Sequence, residues 1–197
     1  MSKFLIPSWE EIHMAVLRLA TLILEDGFRT DLVVGILRGG YIVARVLCDL
    51  LGISDIGVVE VKFYKGIEER AERPIITQPL TADVKGKSVL VVDDVADSGR
   101  TLEVVTEQTR LRGAKSVKTA VLYYKPRSII KPDYYSHETI EWVVFPWELC
   151  EFIRELIMHG HIANGEILAQ KLRSLGFPHS EEFLKELAEY VVSARTP

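Results

Sequence analysis

The sequence predicts an α/β protein built on a doubly wound parallel sheet with helices on both faces. Short apolar runs, typical of buried strands, alternate along the chain with segments of helical periodicity. The 197 residues are 48% hydrophobic and have a mean hydropathy of +0.13, so one sizeable core can form. In such sheets ligands bind beyond the carboxyl ends of the strands, and the loops that follow strands are therefore the candidate functional segments.

The first predicted element is an amphipathic helix within residues 7–27. Ser8 and Glu11 have the spacing of a capping box, and apolar residues then recur at helical intervals. Gly27 ends this pattern. The segment therefore predicts a helix with one buried face.

Helical periodicity returns between and after the apolar runs. It covers residues 41–52 and 100–113, and Gly113 stands in position for a C-cap. After Pro146 three further helical segments follow, with Ser180 as the predicted N-cap of the last. This part is predicted to be a helical C-terminal extension.

Five apolar runs are typical of strands, and one long segment interrupts their alternation with helices. Residues 64–87 are charged, contain two prolines and show no strong period. A loop of this length inside a compact domain is usually functional or disordered. The predicted strands are residues 32–37, 56–63, 88–94, 116–124 and 141–145.

Composition limits the classes of partner and the location. A formal net charge of -4 and a pI near 5.8 argue against a dedicated nucleic-acid or membrane-surface binder, which needs a basic surface. No apolar run approaches the roughly 20 residues of a membrane span, and no signal peptide is evident, so a cytoplasmic location is expected. Cys48 and Cys150 are predicted to be buried free thiols. We predict two domains, residues 1–150 and a helical extension at 151–197.

The stretch VLVVDDVADSGRTL, residues 89–102, places acids at the end of an apolar strand and directly before a helix. Backbone N–H groups around Asp97 to Thr101 would lie at the helix N-terminus, where unpaired amides and the helix dipole favour a phosphate. Asp93 and Asp94 would repel that phosphate, so they must face sugar hydroxyls or a hard cation such as Mg2+. A phosphorylated sugar satisfies both requirements.

This stretch resembles the PRPP-binding motif of the type I phosphoribosyltransferases at all of its positions. The motif has four apolar residues, two acids, two variable residues, then Asp-Ser/Thr-Gly and a nearby Thr. The resemblance implies the type I phosphoribosyltransferase fold with a small hood, Mg2+ as cofactor at Asp93 and Asp94, and Asp97 as the catalytic group that accepts or relays a purine proton. The ribose-phosphate site it implies consists of Asp93, Asp94, Ala96, Asp97, Ser98, Gly99, Arg100 and Thr101.

A second loop is similar to the pyrophosphate loop of the 6-oxopurine phosphoribosyltransferases. Arg38, Gly39 and Gly40 follow the first predicted strand. The two glycines let backbone amides turn toward a diphosphate, and Arg38 adds positive charge. By the same resemblance, residues 64–87 fold over the reaction centre, with Tyr64 near the start of the segment, and exclude water. A disordered insertion without function is the alternative.

Two further matches concern the base. Lys125 aligns with the family's lysine that donates to the purine 6-oxo group, and EWVVFPWEL resembles the W-x-x-x-P-W-D element of bacterial xanthine-guanine enzymes. Trp142 takes the position of the ring that stacks on the base, and Val143 that of the backbone at the purine edge. Glu148 replaces the Asp of that element, which leaves open whether it contacts base or metal. The alternatives are a core role for Trp142 and a solvated Lys125.

The resemblance implies a purine salvage enzyme that transfers phosphoribosyl from PRPP to N9 of guanine, xanthine or hypoxanthine and releases pyrophosphate. PRPP and a purine base are then its partners, and a homodimer or homotetramer is its assembly. An adenine enzyme on the same fold and a PRPP-binding regulator without catalysis are the alternatives. Because Asp93, Asp94 and Asp97 are all present, the motif favours an enzyme over a pure sensor.

Overall fold

The computed structural model describes residues 4–64, 73–160 and 164–194. The chain divides into two compact units. His13–Ile140 form the core unit, and Met1–Ile12 together with Glu141–Pro197 form the terminal unit. The predicted division at residue 150 stays a prediction about domain organisation.

Strands and helices alternate through most of the described chain. None of the helices in these ranges is long and apolar enough to cross a membrane. In chain order the elements are β1 (Phe4–Leu5), α1 (Trp9–Asp26), β2 (Leu32–Leu37), α2 (Gly39–Leu51), β3 (Ile56–Tyr64), β4 (Arg73–Gln78), β5 (Ser88–Ala96), α3 (Arg100–Leu111), β6 (Ser116–Tyr124), β7 (Tyr134–Glu138), β8 (Trp142–Val143), α4 (Leu149–Gly160), α5 (Gly165–Ser174) and α6 (Glu181–Ser193).

The core unit contains a six-stranded sheet in the order β4-β3-β2-β5-β6-β7. All neighbouring strands are parallel except β4, which runs antiparallel to β3. From β2 the chain proceeds toward one edge of the sheet, and from β5 it proceeds toward the other. The adjacent carboxyl ends of β2 and β5 therefore form the topological switch point, where ligands bind in open α/β sheets.

Helices cover both faces of this sheet, as predicted. Val34 and Val91 are fully buried in one cluster with Leu102 of α3. Because strand side chains alternate between faces, the next residue, Gly35, points to the other side, where α2 packs. A Cβ at Gly35 would lie 2.8 Å from the Cα of Tyr41, so α2 lies directly on the strand.

The terminal unit combines two short strands with the three predicted C-terminal helices. β1 pairs in parallel with β8. Ile153, Leu168 and Leu184, one from each helix, are fully buried in a common cluster. Ser180 is the predicted N-cap of α6, and its side chain accepts from the Phe183 N–H at 3.2 Å. The predicted helical extension therefore forms a core of its own side chains with strand residues of the same unit.

Helix ends follow the predicted signals. The Ser8 N–H donates to Glu11 Oε2 at 2.7 Å, and the Glu11 N–H donates to Ser8 Oγ at 3.2 Å, which completes the capping box. Gly27 directly follows α1 and has φ of +71°, whereas the C-cap of α3 is Arg112 and the predicted C-cap, Gly113, is the next residue, with φ of +88°. Both glycines thus supply the left-handed conformation that ends a helix.

The structure corrects the predicted elements at the sheet edges. β4 lies inside the segment predicted as a loop, and β1 and β7 were not predicted. β4 is an edge strand with mostly exposed side chains, and it tolerates Pro74 for that reason, so it shows no apolar run. The strand predicted at 141–145 is shorter, and α2 begins two residues earlier than predicted because its first turn contains two glycines.

Both cysteines are free. Cys48 is buried, as predicted, and burial raises the pKa of its thiol. Cys150 is only partly buried. The prediction of buried thiols is therefore confirmed for the first and corrected for the second, which lies in the first turn of α4 with one side open.

An ion-pair network ties the end of α1 to β6 and β7. The Lys118 ammonium pairs with Asp26 Oδ2, and the Tyr134 hydroxyl donates to the same oxygen at 2.7 Å. The hydrogen bonds from Lys118 and Tyr134 lower the pKa of Asp26. Burial, helped by the Asp26 charge, raises the pKa of Tyr134 to about 12. These contacts favour the charged form of the Asp26 carboxyl in the folded state.

Asp26→Asn is expected to lower the thermal unfolding temperature at neutral pH. Because folding lowers the Asp26 pKa, the carboxylate stabilises the fold above its unfolded pKa of about 3.9, and this contribution disappears as pH falls through the folded-state pKa. The difference in Tm from the wild type should therefore shrink in scans at acidic pH. Asp49→Asn, at an exposed position of α2, is the control. A difference independent of pH would contradict the ion-pair role.

Candidate active site

The predicted strand-to-helix turn is shorter than expected, because β5 continues through Ala96 and includes Asp93 and Asp94, which leaves Asp97, Ser98 and Gly99 as the turn before α3. Gly99 is the N-cap of α3 with φ of +78° and, as a glycine, has no side chain with which to cap the helix. The Arg100 N–H lies 3.4 Å from Ser98 Oγ, which is a long contact, and helical bonding begins with the Glu103 N–H donating to Gly99 O at 3.0 Å. An N-terminus of this kind is suited to an anion.

Two carboxylates are buried beside this turn. The exposed fractions of Asp93 and Asp94 are 9% and 8%, and the Asp94 N–H donates to Asp93 Oδ1 at 3.0 Å. Gly40, at the start of α2, lies against the first of them: a Cβ there would meet Val92 O at 2.6 Å and Asp93 Oδ1 at 2.9 Å. The first turn of α2 is therefore in direct contact with β5, and Gly40 is required for this close approach.

The loop predicted to bind pyrophosphate joins β2 to α2. Arg38 is the N-cap of α2, and the peptide bond before it is cis. Across the sheet, Glu60 of β3 accepts from Thr77 at 2.5 Å and pairs with Lys62. These two hydrogen bonds, with a smaller contribution from the Arg38 charge, lower the pKa of Glu60. The Arg38 guanidinium thus lies within electrostatic range of Glu60, in the middle of β3.

The segment predicted to cover the reaction centre consists in part of strand. Tyr64 is the last residue of β3 and is 53% exposed, and β4 returns antiparallel beside it. The predicted closure concerns residues 64–87, and within this segment residues 65–72 lie outside the described residues. Closure therefore stays a prediction.

Asp97 is held by two cations, one of which the sequence did not reveal. Lys125 Nζ lies 3.3 Å from Asp97 Oδ2, and Lys125 is only 5% exposed. Arg127 Nε donates to Asp97 Oδ1 at 2.5 Å, and Arg127 Nη2 pairs with the same oxygen. Lys125 is therefore not a solvated surface lysine. The signal for Arg127 was its place in the loop after a parallel strand, the region where ligand-binding side chains collect.

Three of the residues predicted to contact the base belong to the terminal unit. They lie in β8 or shortly after it. Trp142 is 55% exposed and is not a core aromatic, whereas the Val143 side chain is buried. The Glu148 N–H donates to Phe145 O at 3.0 Å, and its own carbonyl accepts from the Phe152 N–H, so Glu148 directly precedes the first turn of α4. The Trp142 ring is thus accessible for stacking.

Asp93 and Asp94 fit a Mg2+ ion that is shared with a substrate. Among the residues the structure describes, no group of three or more His, Cys, Asp or Glu side chains is arranged to hold a metal by itself. Mg2+ is usually bound through one or two carboxylates together with substrate phosphates and water. Two buried carboxylates at the end of one strand match that donor set and not a protein-only cage.

A separate cavity of about 210 Å³ lies elsewhere in the core unit. It contains none of the predicted site residues, and Arg112 at its wall pairs with the Leu80 carbonyl oxygen. The carboxyl-edge loops, not this cavity, are therefore the candidate active site. The lining consists of Val59, Ile76, Pro79, Leu80, Val105, Gln108, Thr109 and Arg112.

Fold and site together define an α/β protein with an acidic, glycine-containing turn at the switch point of its sheet. The family model for the phosphoribosyl transferase domain matches residues 6–151, and the chain belongs to this family. The predicted type I fold and the predicted class of enzyme, a phosphoribosyltransferase, are confirmed.

Curated and solved relatives agree with this assignment. The chain is 37% identical over 145 residues to the xanthine-guanine phosphoribosyltransferase of Gluconobacter oxydans (strain 621H), covering 72% of this chain and 82% of that protein. It is 31% identical over 144 residues to the enzyme of the same name from Idiomarina loihiensis, covering 72% and 85%. The crystal structure of a purine phosphoribosyltransferase from Pyrococcus horikoshii Ot3 matches with a TM-score of 0.67 at 41% identity, covering 74% of this chain and 94% of that one.

Proposed function

We propose that the protein is a cytoplasmic purine salvage enzyme that transfers phosphoribosyl from PRPP to N9 of a 6-oxopurine and releases pyrophosphate. The names of the relatives support a purine as the acceptor. The observation that carries the proposal is the end of β5, where two buried acids of the strand precede a helix N-terminus whose N-cap is a glycine. This arrangement accommodates both the hydroxyls and the phosphate of a ribose phosphate.

The turn divides PRPP recognition between two kinds of group. Backbone amides past Asp97 bind the 5-phosphate, and this contact fixes where C1 of the ribose lies. Asp93 and Asp94 would accept from ribose hydroxyls and would hold Mg2+ together with the substrate. The proposed ribose-phosphate site comprises Asp93, Asp94, Ala96, Asp97, Ser98, Gly99, Arg100 and Thr101.

Thr101→Ala is expected to weaken PRPP binding and to leave kcat largely unchanged. The hydroxyl at the first turn of α3 would donate to the 5-phosphate, and hydrogen bonds to charged groups contribute about 1.5–3 kcal/mol, or roughly 10- to 100-fold in affinity. Isothermal titration with PRPP and Mg2+ measures the loss. Thr109→Ser, at a buried position of the same helix, is the control for a change in packing. Unchanged PRPP affinity in Thr101→Ala would contradict the proposed phosphate site.

The chemistry requires a leaving group, a protected sugar cation and a proton acceptor. Departure of pyrophosphate leaves oxocarbenium character on the ribose, as in glycoside hydrolysis. Bound Mg2+ would offset the charge of the leaving pyrophosphate. Arg38 and the amides at Gly39 and Gly40 are proposed to bind that group, with Tyr64 at the start of the proposed covering segment. Asp97 accepts or relays the purine ring proton as N9 attacks.

Base recognition is proposed to select a carbonyl acceptor. The Lys125 ammonium is a donor without acceptor capacity, and it matches the 6-oxo group of guanine, xanthine or hypoxanthine better than the 6-amino group of adenine. Trp142 is proposed to stack on the base, and the Val143 backbone to meet its edge. Glu148 is the proposed contact for an exocyclic group or a second metal.

An assay of the purified protein with PRPP, Mg2+ and each of four purines tests the function. Pyrophosphate release with guanine, xanthine or hypoxanthine is expected. Release with adenine alone would favour the adenine alternative. PRPP binding without turnover on any purine would favour a regulator. Light scattering of the same preparation measures whether the assembly is the proposed homodimer or homotetramer.

A further inference from the structure

Arg127 holds the Asp97 carboxylate through two N–H groups of one guanidinium. Its Nε donates to Asp97 Oδ1 at 2.5 Å, and Nη2 pairs with the same oxygen. The other oxygen, Oδ2, lies 3.3 Å from Lys125 Nζ. Both oxygens of the proposed proton acceptor thus have a cationic partner. A planar guanidinium with two contacts restricts the orientation of the carboxylate in addition to attracting its charge, whereas an ammonium acts mainly as a point charge.

The backbone places Arg127 in this position. The Lys125 N–H donates to Ala96 O at 3.0 Å, and the Ile129 N–H donates to Ser98 O at 3.0 Å. The turn that carries Arg127 is therefore bonded on both sides to the segment that carries the carboxylate. Exposed ion pairs usually contribute little, because two long side chains must be ordered in one geometry. Here the turn holds the Arg127 backbone beside the Asp97 segment, so that only the side chain must be ordered to form the pair.

Lys125 has two competing acceptors under the proposed function. In this structure its nearly buried ammonium pairs with Asp97. Base recognition requires the same ammonium to donate to a purine carbonyl. If Lys125 were the sole partner, its turn toward the base would leave the carboxylate unpaired and free to rotate. The Arg127 guanidinium on the opposite oxygen prevents this.

We propose that Arg127 is a positioning residue for phosphoribosyl transfer, which holds Asp97 in the direction of the base while Lys125 turns to the base carbonyl. The inference rests on the proposed function, because Arg127 acts through Asp97 and not through contact with substrate. It concerns a residue outside the PRPP motif, 30 positions along the chain from its acceptor.

Arg127→Ala is expected to lower kcat about 10-fold and to leave the KM values for PRPP and base nearly unchanged. The expected loss is smaller than the roughly 10²-fold that a 1 Å misplacement of a reacting group can cost. Arg127→Lys should recover part of the loss, because it restores charge without the planar pair of donors. Arg110→Ala, an exposed arginine of α3, is the matched control and should have the kcat of the wild type. Should Arg127→Ala not fold, Arg127→Gln carries the same test.

A double-mutant cycle separates positioning from a structural role. In the Asp97→Asn background, Arg127→Ala should change kcat by less than about 2-fold, since residues that act as a unit are not additive. An equal loss in both backgrounds would overturn the inference, and so would a raised KM for the base at unchanged kcat. An inactive wild type would instead defeat the proposed function. An active wild type with a fully active Arg127→Ala would defeat this inference alone.

Discussion

Replacement of Asp97 by Asn is expected to lower kcat by about 10² to 10⁴, the range that general acid–base assistance usually contributes, with PRPP affinity largely kept. Asparagine has nearly the shape of aspartate, but its amide does not accept a proton as N9 attacks. The 5-phosphate contacts of the same turn come from backbone amides, which the substitution retains. Rates of pyrophosphate release, with PRPP and base varied separately, measure kcat and both KM values. Undiminished turnover would remove the acid–base role.

The structure shows that Asp97→Asn has a second effect, on stability, which must be measured separately from the loss of the proton acceptor. Asp97→Asn also removes the ion pairs to Lys125 and Arg127. Lys125 is nearly buried, so its ammonium would lose its charged partner at a cost in stability. Thermal unfolding of the variant measures that cost, and the assay should run well below its Tm. A fall in kcat for a protein that is still folded then reports the missing proton acceptor.

Central strands were predictable because they are buried on both faces. Such strands are nearly continuous apolar runs, and the predicted bounds of residues 32–37 and 116–124 coincide with β2 and β6. β4 escaped prediction because it lies at an edge, where exposed side chains and Pro74 remove the apolar signal. β4 is a strand because it pairs with β3, and its own residues carry no apolar pattern that reveals this pairing.

The place of the candidate site was predictable, whereas its internal contacts were not. A strand that ends in acids before a helix specifies a turn at the carboxyl edge from local sequence alone. The Arg127 contact depends on the pairing of β5 with β6 and on the direction of two side chains. The contacts of Gly40 were likewise not predictable from local sequence. The sequence predicted a role in exposing amides, and the structure adds a steric requirement, because any Cβ at Gly40 would lie only 2.6 Å from Val92 O.

Gly99→Ala is expected to weaken PRPP binding at least about 10-fold and to destabilise the fold, because the site combines a left-handed backbone, which costs about 1–2 kcal/mol for an L-residue, with overpacking, which costs about 1–3 kcal/mol. Gly99 has φ of +78°, and a Cβ there would lie 2.2 Å from Ser128 Oγ and 3.0 Å from the Ile130 N atom. To relieve these contacts, either the turn at Gly99 or the loop that carries Lys125 and Arg127 must shift. Thermal unfolding and titration with PRPP measure the two effects.

Gly52→Ala is the matched control, because it isolates the backbone cost. Gly52 has φ of +67°, and a Cβ there would meet nothing within 4 Å. This variant should lose stability but keep wild-type PRPP affinity and kcat. Ser128→Gly in the Gly99→Ala background removes the closest clashing atom and should recover part of the PRPP affinity, although the left-handed strain remains. If Gly99→Ala and Gly52→Ala have the same PRPP affinity and the same loss of stability, the contact between the turn at Gly99 and the loop at Ser128 does not shape the phosphate site.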